Sequence, residues 1–314
     1  MAVSKIVCVS ANPAMDRRLR VESLIAGEVI RAKSAQGFAG GKAAHVAMAI
    51  RALGGTAAWI GFLGGAIGQE CGRQLEDLGI HVVTIPSSAS TRVNLEIIDA
   101  TGKITEILEP GNAPPEDSQR ELVSAIRQQC QDALLVLSGS LPAGVRDDFY
   151  VSIIEIVRTL GVPTFVDTSG PPLRVSAAAH ANLVKINRAE AEDLAGRSLK
   201  SVEETVAAMQ EIIKRGPESV AITAGEEGLI WVEGRNGPAW QARPPRLHAV
   251  STVGCGDATL AGFASAALQG LVGEEAVRLA AACGAANCLA LAPGRIELVR
   301  VRALLPQIEV QRLA

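Results

Sequence analysis

Aromatic residues are scarce in this 314-residue chain, at 3% of it. Its core must therefore be built from Ala, Val, Leu and Ile, in keeping with a hydrophobic content of 48%, and that composition suits helices packed on a parallel sheet. An excess of positive charge is missing too. With a formal net charge of −3 the chain has no global basic field, so nucleic acid and anionic membranes are not expected partners. A local Lys or Arg still suffices to hold one phosphate. No apolar run approaches the ~20 residues of a membrane-spanning helix. The opening MAVSKIVCVSANPAMD has too short an apolar stretch for a secretion signal and no small-residue cleavage site, so it reads as a first strand. The six cysteines (Cys8, Cys71, Cys130, Cys255, Cys283, Cys288) form no C-x-x-C pair. This disfavours a zinc site or disulfide framework and leads us to expect a reducing, cytoplasmic setting.

What the chain does have is an alternation of strand and helix signals. Residues 5–10 read as a buried strand. A Gly-rich turn, Gly37 to Gly41, is expected to open a helix over 42–53. Further helices are expected at 118–131, 147–160, 188–195, 202–215, 256–271 and 273–292. Between them lie the strand-like ALLVLSGS, VPTFVDTS, ANLVKIN and ESVAITAG, with GLIWVEG beside the last. This spacing predicts βαβ units and a mostly parallel sheet, an α/β fold. Two insertions, approximately 13–35 and 90–110, carry strand signals without helices, the second as a hairpin around Asp99 to Gly102. They are expected to form a small sheet over one end of a single domain, 1–314.

Three clusters carry chemistry. Ser251-Thr252-Val253-Gly254-Cys255-Gly256-Asp257 precedes a long helix. Its glycines allow a tight turn that leaves N–H groups pointing at the helix entrance, a place that suits phosphate. A carboxylate there, Asp257, needs a purpose, and accepting a proton from an attacking hydroxyl is one. A Gly-rich turn whose Asp simply complements the helix dipole fits the same residues. Gly40-Gly41-Lys42 looks like part of a P-loop, but Gln36 and Ala43 break that template. There the glycines fit a hinge or close approach to a ligand, and Lys42 fits either a ligand contact or a solvated helix residue. In Lys185-Ile186-Asn187-Arg188-Ala189-Glu190, the oxygens of Asn187 and Glu190 suit Mg²⁺ held largely through water. They equally suit a helix-capping pair. Asp16 follows the first strand, where α/β sheets place ligand groups; Arg92 and Asn94 begin the expected hairpin and fit exposed strand residues equally, while Ser138 and Thr223, Gly225 and Gly228 lie at strand ends that fit ordinary turns as well.

In their order along the chain these segments resemble the PfkB family of carbohydrate kinases. STVGCGD resembles the family's T-x-G-A-G-D signature, AGGKAAHVA its G-G-K-G-x-N-x-A signature, and KINRAE its K-P-N-x-x-E segment. NPAMD, TRVN, EPG, SGSLPAG and DTSG point to the branch of 1-phosphofructokinase, tagatose-6-phosphate kinase and the minor 6-phosphofructokinase. The resemblance implies a ribokinase-like three-layer sandwich with a β-lid, a homodimer through that lid, and transfer of phosphate from MgATP to a sugar phosphate. It implies Asp257 as general base and Gly254, Cys255 and Gly256 as the anion hole. It assigns Asn187 and Glu190 to Mg²⁺, Thr223, Gly225 and Gly228 to the nucleotide, and Asn287 to the neighbourhood of adenine. Asp16, Gly40 and Gly41 would hold sugar hydroxyls, while Lys42 and Arg92 grip the existing phosphate with help from Ser138.

Three residues depart from the pattern. Ala43 replaces Gly, His45 stands where Asn usually meets the sugar, and Cys255 replaces Ala. A thiol at a helix N-terminus is expected to be acidified, so oxidation of Cys255 is expected to block activity. Kinases of free sugars or nucleosides, and a binding protein without catalysis, are the alternatives. A nicotinamide-dependent dehydrogenase is disfavoured because ANPAMD, not G-x-G-x-x-G, follows the first strand.

Overall fold

The structure is a computed structural model describing residues 3–313. Its strands are β1 Lys5–Ser10, β2 Ala14–Arg20, β3 Ser34–Gly40, β4 Ala57–Leu63, β5 His81–Pro86, β6 Arg92–Ile98, β7 Ile104–Leu108, β8 Ala133–Ser138, β9 Thr164–Asp167, β10 Leu183–Asn187, β11 Ser219–Thr223, β12 Leu229–Val232, β13 Ala239–Arg243 and β14 Glu309–Leu313. The helices are α1 Lys42–Ala52, α2 Gly65–Asp77, α3 Glu116–Gln129, α4 Phe149–Arg158, α5 Gly170–Ser176, α6 Arg188–Ala195, α7 Val202–Arg215, α8 Cys255–Gln269, α9 Gly273–Cys288 and α10 Leu298–Leu304.

The large sheet runs β14-β13-β12-β11-β10-β9-β8-β1-β4-β5. From β11 through β5 neighbouring strands are parallel, and β12, β13 and β14 continue the sheet antiparallel. Alternating side chains point to opposite faces. Ile6 and Cys8 of β1 join the core under α1, α2, α8, α9 and α10, whereas Val7 and Val9 join the core under α3 to α7. Burial on both faces explains why these strands read as continuous apolar runs. The small sheet, β3-β2-β6-β7, stands apart. In it β2 pairs antiparallel with β3 and parallel with β6.

Two expectations need correction. Residues 34–40 are strand, not turn: β3 runs to Gly40, and only at Gly41, with φ 84°, does the chain break into α1. Gly37 and Gly40 are therefore strand residues, kept small because Met15 and Asp16 of β2 lie against them. The insertion near 13–35 accordingly extends five residues further than expected. In addition β5, β13, β14, α5 and α10 were not foreseen.

Candidate functional site

In a parallel sheet every strand ends on the same side, and here Ser10, Ser138, Asp167, Asn187 and Thr223 end there together. The first turns of α1 and α8 meet above them. His45, in the second turn of α1, is 6% exposed and joins two carboxylates. Its Nδ1 lies 2.8 Å from Asp257 Oδ2 and its Nε2 lies 2.8 Å from Asp16 Oδ2. Burial alone would lower the imidazole's pKa, but the bonds from Asp16 and Asp257 push it up to about 10, so at neutral pH both ring nitrogens donate. Burial alone would raise the Asp16 carboxyl; His45, Asn94 and Gly41 outweigh it and hold it below its ordinary value. Asn94 Nδ2 donates to Asp16 Oδ1 at 2.9 Å, while Asn94 Oδ1 is buried without a partner among the described residues. At Gly40 a β-carbon would lie 2.2 Å from the Asp16 carboxyl carbon, so any larger residue displaces that carboxylate.

A second cluster lies beneath the α8 entrance. Asp167, fully buried at the end of β9, accepts from Lys42 Nζ at 2.7 Å and from Lys185 Nζ at 2.5 Å. Burial opposes charge on Asp167, but the two lysines outweigh it and keep its pKa below the ordinary value. Burial likewise opposes charge on Lys42, and Asp167 and then Asp257 raise it above the ordinary lysine range. Two cations on one anion leave net positive charge. Lys185 reaches so far that a β-carbon on Gly256 would lie 2.4 Å from its Nζ. Gly254 takes φ 77° to start the helix, and the amides of Gly254, Gly256 and Asp257 have no backbone acceptor among the described residues. The Cys255 amide is turned to Thr252 O at 3.3 Å. Free amides over a buried ammonium form a cradle for a phosphoryl group.

On the next strands, Asn187 and Glu190 form the capping pair: Asn187 Oδ1 accepts from Glu190 N at 2.9 Å and Glu190 Oε2 accepts from Asn187 N at 2.8 Å. This leaves Glu190 Oε1 open. No group of three or more His, Cys, Asp or Glu is arranged to hold a metal ion among the described residues. Mg²⁺ needs no such group, because waters, phosphates and one or two protein oxygens complete its octahedron. The residues therefore fit that ion. Thr223 ends β11, followed by Gly225 at φ 56° and Gly228 at φ 90°. A β-carbon on Gly228 would strike Ala242 O at 2.1 Å.

The small sheet supplies the opposite wall. Arg92 donates through Nε and Nη2 to Asn12 O and through Nη1 to Glu109 O, and burial lowers its pKa. Asn12 Nδ2 reaches Pro110 O at 3.0 Å and Ser140 Oγ at 3.2 Å, so NPAMD, EPG and SGS converge. Arg18 and Glu96, opposite one another in β2 and β6, form a buried two-pronged pair at 2.8 and 3.0 Å. Sequence reasoning missed Arg18, Glu96 and Asp167, although strand alternation from Asp16 and Asn94 marks the first two. Ser138 Oγ is buried and unpartnered among the described residues.

One expectation, that of an acidified Cys255, fails. Asn287 is 1% exposed, and its side-chain amide donates to Val253 O at 2.8 Å and accepts from Gly294 N at 2.9 Å. It braces the turn before α8. Cys255 is not acidified. Its contact with Cys288 and its burial push the Cys255 pKa up. A broad hollow of ≈ 1120 Å³ opens elsewhere, at the N-terminal ends of the strands, lined by Arg127, Asp132, His180 and Asn182 among others. Ligands of open α/β sheets bind at carboxyl ends, where the polar clusters are, so those clusters define the candidate site.

Comparison with known proteins agrees with this geometry. The profile of the "pfkB family carbohydrate kinase" matches residues 3–295. A 1-phosphofructokinase of Borreliella burgdorferi is 32% identical over 310 residues, covering 98% of each chain. The structure of phosphofructokinase-2 from Escherichia coli in complex with substrates and products superposes with a TM-score of 0.90 at 29% identity, over 96% of this chain and 98% of that one. A ribokinase of Arabidopsis thaliana complexed with ribose and ATP, at 23% identity and TM-score 0.77 over 96% and 99% of the two chains, shares the fold.

Proposed function

The chain belongs to the pfkB family of carbohydrate kinases, and on that footing we propose that it transfers the γ-phosphoryl group of ATP to a hydroxyl of a ketohexose phosphate: fructose 1-phosphate, fructose 6-phosphate or tagatose 6-phosphate. One observation carries the reading. Asp257 stands directly behind the amide turn and is tied through His45 to Asp16 on the small sheet, so the phosphate side and the sugar side meet at one carboxylate.

With Oδ2 held by His45, Asp257 has Oδ1 to accept the proton of the attacking hydroxyl. Asp16 and the free Asn94 Oδ1 accept from the remaining hydroxyls. The amides of Gly254, Gly256 and Asp257, with Lys42 and Lys185 behind them, stabilise charge on the migrating phosphoryl group. Arg92 retains N–H groups for the substrate's own phosphate while its bonds to Asn12 O and Glu109 O fix its direction. Thr223, Gly225 and Gly228 line the nucleotide's path. Asn187 and Glu190 would hold Mg²⁺, which supplies neutralising charge to the phosphates. The small sheet serves as a lid that excludes water from ATP, and two copies dimerise through it. Six free cysteines support a reducing, cytoplasmic setting.

The test is ATP consumption measured over fructose 1-phosphate, fructose 6-phosphate, tagatose 6-phosphate, free hexoses, ribose and nucleosides. Turnover confined to the ketohexose phosphates is expected. Turnover with free sugars or nucleosides alone would overturn the substrate class.

A further inference from the structure

The cysteines separate by exposure: Cys8, Cys71, Cys130 and Cys283 are buried, whereas Cys255 and Cys288 are partly open. The two open ones are also the two that touch. Cys255 starts α8, Cys288 ends α9, and their sulfurs lie 3.1 Å apart. The backbones are held together as well, because Val250 N and Ser251 N both bond to Cys288 O, at 2.7 and 3.3 Å. Asn287 Nδ2 reaches Cys255 Sγ at 3.4 Å from the same side. A disulfide needs the sulfurs about 1 Å closer, a shift that side-chain rotation and small movements of two helix ends supply.

We infer that Cys255 and Cys288 form an intramolecular disulfide site, oxidised by peroxides, which shuts the phosphoryl cradle. The Cys288 sulfur attacks one oxygen of the peroxide; an S–O bond forms, the O–O bond breaks, and hydroxide leaves and takes up the thiol's proton as water. The Cys255 sulfur then attacks the Cys288 sulfenic acid; the S–S bond forms, the S–O bond breaks, and a second water leaves with the Cys255 proton. Two thiols lose two electrons in all, and one peroxide gains them. Either sulfur can donate to the other and both are partly open, so the same balance holds with the roles exchanged. The consequence for activity rests on the proposed function, since residue 255 lies between the free amides of Gly254 and Gly256. Drawing its sulfur toward α9 turns those amides and disturbs the Asn287 bond to Val253 O that braces them.

The experiment treats the full-length protein with a small molar excess of hydrogen peroxide, maps peptides without reduction, and follows kinase turnover in parallel. The expected result is a cross-linked peptide pair containing Cys255 and Cys288. A loss of turnover of about tenfold or more should track cross-linking and be reversed by dithiothreitol. Cys288→Ser, outside the cradle, should keep turnover and resist peroxide. Peptide mapping reports the bond even if turnover is absent, so failure of the kinase reading and failure of this inference are distinguishable. The inference is overturned by oxidation elsewhere without this link, by the link forming with turnover intact, or by Cys288→Ser losing turnover to peroxide as fast as the unmodified protein.

Discussion

At the scale of the residue, His45 ties the two halves of the site together, and its charge state has measurable consequences. Its pKa rises from 6.5 to about 10 on folding, so its contribution to stability is complete below pH 6.5 and is lost as pH rises through about 10. The melting temperature of the wild type, relative to His45→Asn, is therefore expected to fall between those pH values; a difference independent of pH would show that His45 is not bound as an imidazolium. Turnover should follow the same rule, with an alkaline decline near pH 10 that His45→Asn lacks. Gly40 sets a steric limit. A methyl group there meets the Asp16 carboxylate, so Gly40→Ala is expected to raise KM for the sugar phosphate roughly tenfold while KM for ATP holds. Equal changes in both would place Asp16 outside the sugar site. Asp257, the Gly254–Gly256 turn and Asp16 were legible from their types and positions. Asp167 was not, because it reads as one more strand residue until the fold brings Lys42 and Lys185 to it from 125 and 18 residues away.

At the scale of the element, legibility followed the local signals. Helix α7 matches its expected bounds because Ser201 caps Glu204 N and Gly216 stops it. Gly37–Gly41 was misread because glycine marks both turns and close strand packing, and only the partner strand decides between them. The 13-residue stretch between β2 and β3 forms no strand, so the irregular alternation over it carried no pairing. Helices α8 and α9 were plain from their alanine content, and their packing explains that content: at Gly262 a β-carbon would lie 2.5 Å from Ala280 Cα. Gly262→Val forces the helices apart and is expected to cost about 1–3 kcal/mol in urea unfolding. A stability equal to wild type would mean that the pair packs more loosely than described. Because α8 also carries Asp257, the same variant should lose turnover below its melting transition.

At the scale of the molecule, composition and βαβ spacing made the parallel sheet legible, and the joining of the two insertions into one small sheet was expected; the register that sets β2 against β6 was not. That pairing creates the polar wall of Asp16, Arg18, Asn94 and Glu96, and it depends on register, which no local pattern fixes. The small sheet and its loops also expose Leu24, Ile25, Val29, Ile107 and Leu108, with Val29 88% open. A small sheet that exposes such side chains is suited to covering by a second copy. Light scattering is expected to give twice the chain mass for the wild type and one chain mass for Ile107→Glu/Leu108→Glu; a monomeric wild type would refute dimerisation. The account as a whole rests on Asp257 taking the proton from the attacking alcohol. The measurement that tests it most directly is single-turnover phosphoryl transfer by Asp257→Asn with nucleotide affinity determined on the same sample. The account predicts a rate about 10²–10⁴-fold lower with ATP affinity retained; a transfer rate near that of the wild type would contradict it.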